Sequence, residues 1–164
     1  MRSVPSALVA CALIAVPGCG RRLVAVVPDG TPSGGTSSAD PTFEIVARAN
    51  GIRDPLPVSG ADVAYADLER SLGQAVVREV APRHDSVLTV ELVAGDAEFH
   101  DPRLSVSLVV RATLRTRLGN TFVAQTEVVC RDGSIVPPES GGRVIWSCMT
   151  RLGHDLGGWL ADLH

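Results

Sequence analysis

Lysine is absent. All fifteen positively charged residues of this 164-residue chain are arginines, which removes a Walker-type phosphate loop and lysine Schiff-base chemistry, since both need an ammonium group. A basic excess is missing as well: the formal charge is −3, so bulk charge does not draw the chain to nucleic acid. No nucleic-acid partner is expected. The sequence also lacks a nucleophile elbow, a His-Glu-x-x-His helix, a calcium loop and a dinucleotide fingerprint. A non-enzymatic protein is the expectation, with no cofactor and no metal.

The apolar run at the N-terminus is too short to span a membrane. Val4 to Pro17, at about 1.5 Å per helical residue, reaches only about 21 Å against a hydrocarbon core of about 30 Å. With Arg2 ahead of it, the run reads as a signal peptide over residues 1–18. Its end, Val16-Pro17-Gly18-Cys19, resembles a bacterial lipobox, in which a small residue precedes a cysteine that receives a lipid. Cys19 is therefore the expected lipidation site, and a lipid anchor the expected link to a membrane. Ordinary signal-peptidase cleavage with a soluble product is the alternative. Residues 19–41 carry Thr31-Pro32-Ser33-Gly34-Gly35-Thr36-Ser37-Ser38, too poor in apolar side chains to offset the entropy of ordering, and read as a tether. Within them, Leu23 to Val27 is either an edge strand or a segment lying on the membrane.

What is present is a single α+β domain over residues 42–164. The stretch Leu104–Cys130 organises it. Leu104, Val106, Leu108, Val110, Ala112, Leu114 and Leu118 alternate with polar residues, and Phe122, Ala124, Val128 and Cys130 resume the pattern after Gly119-Asn120, so a hairpin is expected. Cross-strand partners must share a face, which favours a three-residue connection with Asn120 left-handed and Leu118 opposite Phe122.

Thr42–Ala49 reads as a first strand, and Ile52–Val58, with two prolines, as an extended loop. Ser59-x-x-Asp62 followed by Tyr65, Leu68, Leu72, Val76 and Val80 predicts a helix from Asp62 to Val80, stopped by Pro82. Leu88–Ala94 alternates as a strand, and Gly95–Arg103 reads as a connection or a bulged hairpin end. A last helix carries Ile145, Cys148, Met149, Leu152, Leu156, Trp159, Leu160 and Leu163 on one stripe, with Gly153 and Gly157 placed to admit a close neighbour. The order predicts an antiparallel or mixed sheet of about four strands with two amphipathic helices packed on one face.

Three His-Asp pairs, His84-Asp85, His100-Asp101 and His154-Asp155, are raw material for metal or acid-base sites. Adjacent residues diverge on strands and helices, so none forms a site by itself. Arg111, Arg115 and Arg117 line the outer face of the long strand and form the candidate docking surface; the plain alternative is a solvated face pairing loosely with Glu127. Of the four cysteines, Cys11 leaves with the signal peptide and Cys19 takes the lipid. Cys130 ends an inward face and Cys148 lies on the last helix's apolar stripe, so a Cys130–Cys148 disulfide is expected in an exported product, with two buried thiols as the alternative.

The lipobox at Val16–Cys19, the helix Asp62–Val80, the strands across Val87–Cys130 and the final helix ending Leu156-Gly157-Gly158-Trp159-Leu160 resemble the PqiC-like auxiliary lipoproteins of ABC-type lipid transporters. More distantly they resemble LptE-like lipoproteins. The resemblance implies a non-enzymatic lipoprotein of the bacterial cell envelope, at the outer membrane, that docks on a periplasmic protein partner in a transport complex. A lipid- or ligand-binding module with an apolar groove between helices and sheet is the competing reading. An unrecognised hydrolase, with His100, His154 and carboxylates converging, is a third.

Overall fold

The computed structural model describes residues 24–28, 43–80 and 85–163. In chain order the elements are β1 (Val24–Val26), β2 (Phe43–Ala49), β3 (Leu56–Pro57), β4 (Val63–Tyr65), α1 (Leu68–Glu79), β5 (Ser86–His100), β6 (Arg103–Thr116), β7 (Phe122–Ser134), a short 3-10 turn at Pro138–Ser140, and α2 (Gly142–Asp162). They form an α+β fold with a mixed four-stranded sheet ordered β2-β5-β6-β7, in which only the β2–β5 pairing is parallel. Both helices pack on the same face of that sheet, α1 over β2 and α2 over β6 and β7.

Alternation explains the core. Leu88, Val90 and Leu92 of β5 and Leu104, Val106, Leu108, Val110, Ala112 and Leu114 of β6 are all buried beneath the helices, each large aliphatic side chain contributing roughly 1.5–3 kcal/mol. Strand β5 runs longer than its pattern suggests. A bulge between Leu92 and Ala94 leaves Val93 unpaired, which reverses the parity, so Ala97 rather than Asp96 or Glu98 turns inward. Of the two readings of Gly95–Arg103, a connection or a bulged hairpin end, the second holds: the segment is strand up to a tight turn at Asp101-Pro102.

Three further expectations are corrected. The helix expected from Asp62 begins only at Leu68, because Val63, Ala64 and Tyr65 are buried as the middle strand of a small three-stranded sheet ordered β1-β4-β3. The cap of α1 comes from elsewhere in the chain: the Asp67 and Leu68 amides donate to Asp54 Oδ1 and Oδ2, each at 3.1 Å, which satisfies two open N–H groups of the first turn. In the β6–β7 hairpin, Thr116 N–H donates to Thr121 O at 2.9 Å, and a bulge sets Arg115 opposite Phe122. Asn120 is left-handed as expected, with φ 51°. Leu118 nonetheless lies in the turn, 85% exposed, and Phe122 is 54% exposed rather than inward.

The Leu23–Val27 question is settled by β1, which pairs parallel with β4 in register Val24–Val63. Part of the range read as tether is thus a strand. Residues 1–23, with the stretch expected to be a signal peptide and Cys19, and residues 29–42 lie outside the described residues.

Glycines allow the helices to close on one another. A Cβ on Gly153 would lie 3.0 Å from Ala75 O, and one on Gly157 2.9 Å from Glu79 O, so α2 rests directly on the backbone of α1 at both positions expected to admit a neighbour. Gly141 is more constrained still, since a Cβ there would run into Tyr65 Oη and Leu104 Cδ2. The Tyr65 hydroxyl, fully buried, donates to Pro138 O at 2.9 Å. Burial, and then the nearby Glu139 carboxylate, push its phenol up to about 12. Cys130 and Cys148 form a disulfide with a Cα separation of 5.6 Å, tying α2 to β7. Arg151 on α2 adds an ion pair with Asp132 beside it.

Candidate functional site

With one face of the sheet covered by helices, the candidate surface is the other face together with its edge and ends. The residues reach it by alternation. One row crosses all four strands by direct pairing, Arg48 to Glu91, Glu91 to Arg111, and Arg111 to Glu127. The signs alternate, so each charge has an opposite neighbour across the ladder. Arg111 donates from Nε at 2.9 Å and Nη2 at 2.6 Å to the same oxygen, Glu127 Oε1, and Asn50 donates to Glu91 Oε1 at 3.3 Å.

The three arginines expected to form one docking patch are therefore separated in role. Arg111 belongs to the charge row. Arg115 Nη1 donates to the turn carbonyl of Asn120 at 3.2 Å. Because β6 ends at Thr116, Arg117 sits in the turn, where its backbone N–H donates to Asp85 O at 2.7 Å. Around Arg115 and Arg117 the same end of the sheet exposes Leu118, Phe122 and Val123, the last 46% exposed, making an apolar tip flanked by guanidinium groups. Sequence reasoning missed this tip, since it placed Leu118 and Phe122 in the core.

At the opposite end, Asp96, Glu98, Arg103, Ser105, Ser107 and Arg131 line an open depression of about 480 Å³. A second depression, about 680 Å³, lies between the end of β7 and the start of α2 among Asp132, Glu139, Arg143 and Ser147. Both are polar. The space between helices and sheet is filled, with Leu72, Val76, Leu92, Leu108, Ile145, Met149 and Leu152 buried there.

The histidines do not converge. His100 lies 3.4 Å from Glu98 and His154 3.8 Å from Glu79, both pairs being exposed contacts on different elements; His84 lies outside the described residues. Among the described residues no three of His, Cys, Asp and Glu come together in a way that could hold a metal ion. No helix among them is long and apolar enough to cross a membrane.

No family model matches the sequence, and no curated protein matches it. Solved structures do share its fold. The chain is similar to a Xanthomonas campestris protein of the DUF330 family, with a TM-score of 0.59 at 15% identity, covering 87% of this chain and 94% of that one. Looser likenesses are to a hypothetical protein from Chlamydia trachomatis, TM-score 0.44 at 9% identity over 74% of this chain and 89% of that one, and to a lipoprotein from Neisseria meningitidis, TM-score 0.36 at 13% identity over 73% and 97%. The first of these likenesses shows that the chain has the fold of the DUF330 protein.

Proposed function

We propose that this protein is a non-catalytic accessory lipoprotein of the bacterial envelope, anchored through Cys19 and docking on a transport or assembly complex through its exposed sheet. The observation that carries the reading is the arrangement of the two ends. Strand β1 begins at Val24, five residues beyond the proposed lipid site, a span of at most roughly 17 Å. Its Val24 amide donates to Asp62 O at 2.9 Å, and the neighbouring β3–β4 turn is tied to β5 by Ser59 N–H to Ala97 O and Phe99 N–H to Ser59 O, each at 2.8 Å. The anchor would thus hold the Asp101 end of the long hairpin at the bilayer. The apolar tip at Leu118 and Phe122 lies at the other end of β6, about 45 Å away at about 3.3 Å per residue, facing a partner in the periplasm.

The filled interface between helices and sheet favours docking over an apolar ligand groove. The PqiC-like resemblance supplies the class of partner, a lipid-transport assembly at the outer membrane. Replacing Cys19 with serine is expected to release the protein from membranes while leaving the folded domain intact. Persistent membrane fractionation of that variant, with no labelled fatty acid taken up by the wild type, defeats the anchor. Failure of the wild-type protein to retain any envelope transport component after crosslinking defeats the docking role.

A further inference from the structure

Strand β7 is an edge. It pairs with β6 on one side, and among the described residues no strand pairs with its other side. An open edge of this length invites a further strand unless it is blocked. Its backbone is suitably turned: Gly133 N–H bonds the side chain of its neighbour, Asp132 Oδ1 at 2.8 Å, instead of β6. In an antiparallel ladder, where paired residues alternate between bonding inward and facing away, the same side then carries the backbone groups of Arg131, Val129, Glu127 and Gln125.

The side chains on this edge are self-complementary about one residue. Val129, 51% exposed, sits midway between Glu127 and Arg131. If a second β7 lies antiparallel with Val129 facing Val129, each Glu127 faces the other copy's Arg131, and Gln125 faces Gly133. Outside that core, Val123 meets Ile135, which is 75% exposed just past the strand. Glu127 is prepared for a second cation, because Arg111 places both Nε and Nη2 on Oε1, leaving Oε2 for the other copy. A shift by two residues loses the charge match.

We propose that β7 pairs with β7 of a second copy around a two-fold axis through Val129, joining two four-stranded sheets into one of eight strands. The contact is isologous, so each interaction occurs twice. The two-fold reverses strand direction, so the Asp101 end of one copy lies beside the Leu118 end of the other, and a dimer with both proposed Cys19 anchors in one bilayer lies along it instead of standing upright as a single anchored copy would.

The test is charge exchange in the full exported chain, read by sedimentation velocity at micromolar concentration, with circular dichroism to verify the fold. The wild type is expected at twice the monomer mass. Arg131→Glu and Glu127→Arg should each weaken the dimer by about tenfold or more, since two like-charge pairs replace two opposite ones across the ladder. An equimolar mixture of the two variants should restore a dimer, as should the double swap in a single chain. A monomeric wild type, single swaps that dimerise as tightly as the wild type, or a mixture that stays monomeric overturns the proposal. Because the mixture contains the same folded variants as the single samples, misfolding cannot imitate the expected pattern.

Discussion

On the inner face of the four-stranded sheet, fully buried leucines and valines meet two helices that approach to backbone contact at Gly153 and Gly157 and are tied down by Cys130–Cys148. On the outer face, one strand-width away, Arg48, Glu91, Arg111 and Glu127 stand in alternating charge, and Val129 and Phe122 are left open. The backbone ladder is common to both faces; the tolerance is not. A methyl group added inside has no room to occupy, whereas a charge removed outside exchanges one solvated contact for water. The difference assigns stability to one side of the sheet and leaves the other free to recognise something.

The comparison can be broken most severely at Gly141. Gly141→Ala is expected to cost about 3 kcal/mol, because the new methyl must displace Tyr65 from its bond to Pro138 and push Leu104 aside; a shift in the urea midpoint measures it. Removing the bridge with Cys130→Ser and Cys148→Ser together comes next. With the cysteines 18 positions apart in sequence, the chain-entropy argument gives a loss of about 3 kcal/mol at most, and reducing agent should lower the melting temperature of the wild type but not of the double variant.

A smaller inner-face effect is set by pH. The folded phenol of Tyr65 titrates at about 12, above its ordinary value near 10. The raised value means that its contribution is complete below about pH 10 and is lost as pH rises from there through about 12. Tyr65→Phe should flatten that alkaline decline while costing roughly 1 kcal/mol at neutral pH through the lost hydrogen bond. The smallest effect belongs to the outer face: Arg111, Arg115 and Arg117 changed together to glutamine should alter stability by less than about 1 kcal/mol. Co-purification with an envelope partner should nevertheless fall. An unchanged partner yield returns these arginines to a purely solubilising role.

The regular parts of this fold were legible because period and burial agree in them. Leu104 to Leu114 alternate without interruption, and Ile145 to Leu160 hold one helical stripe, so both elements and the Cys130–Cys148 proximity could be read directly. Reading failed where one residue changes the register. Val93 reverses the faces of β5, and nothing in Val-Ala-Gly announces a bulge rather than a strand end. The turn bulge beside Arg115 did the same for Leu118 and Phe122, and with them went the apolar tip of the candidate surface. Val63-Ala64-Tyr65 is too short to show any period, and it borrowed the helical spacing of the residues behind it. Asp54 caps α1 from a separate loop, a relation that local sequence signals do not carry. The edge symmetry of Glu127, Val129 and Arg131 was present in the sequence, yet it acquires meaning only once β7 is known to lie outermost.

Strand β1 gives the proposed anchor two working lengths. Three residues hold it to β4, and Val24 at its start is 54% exposed, so few contacts oppose its release compared with the long strands. While it is seated, the folded body stands within roughly 17 Å of Cys19. Once it is pulled free, the next strand held by the main sheet begins at Phe43, and covalent geometry limits the distance from Cys19 to it to roughly 80 Å at about 3.4 Å per residue. Were Cys19 to carry the proposed lipid, this three-residue pairing would set its reach, yielding under tension along the chain before the disulfide-tied body does.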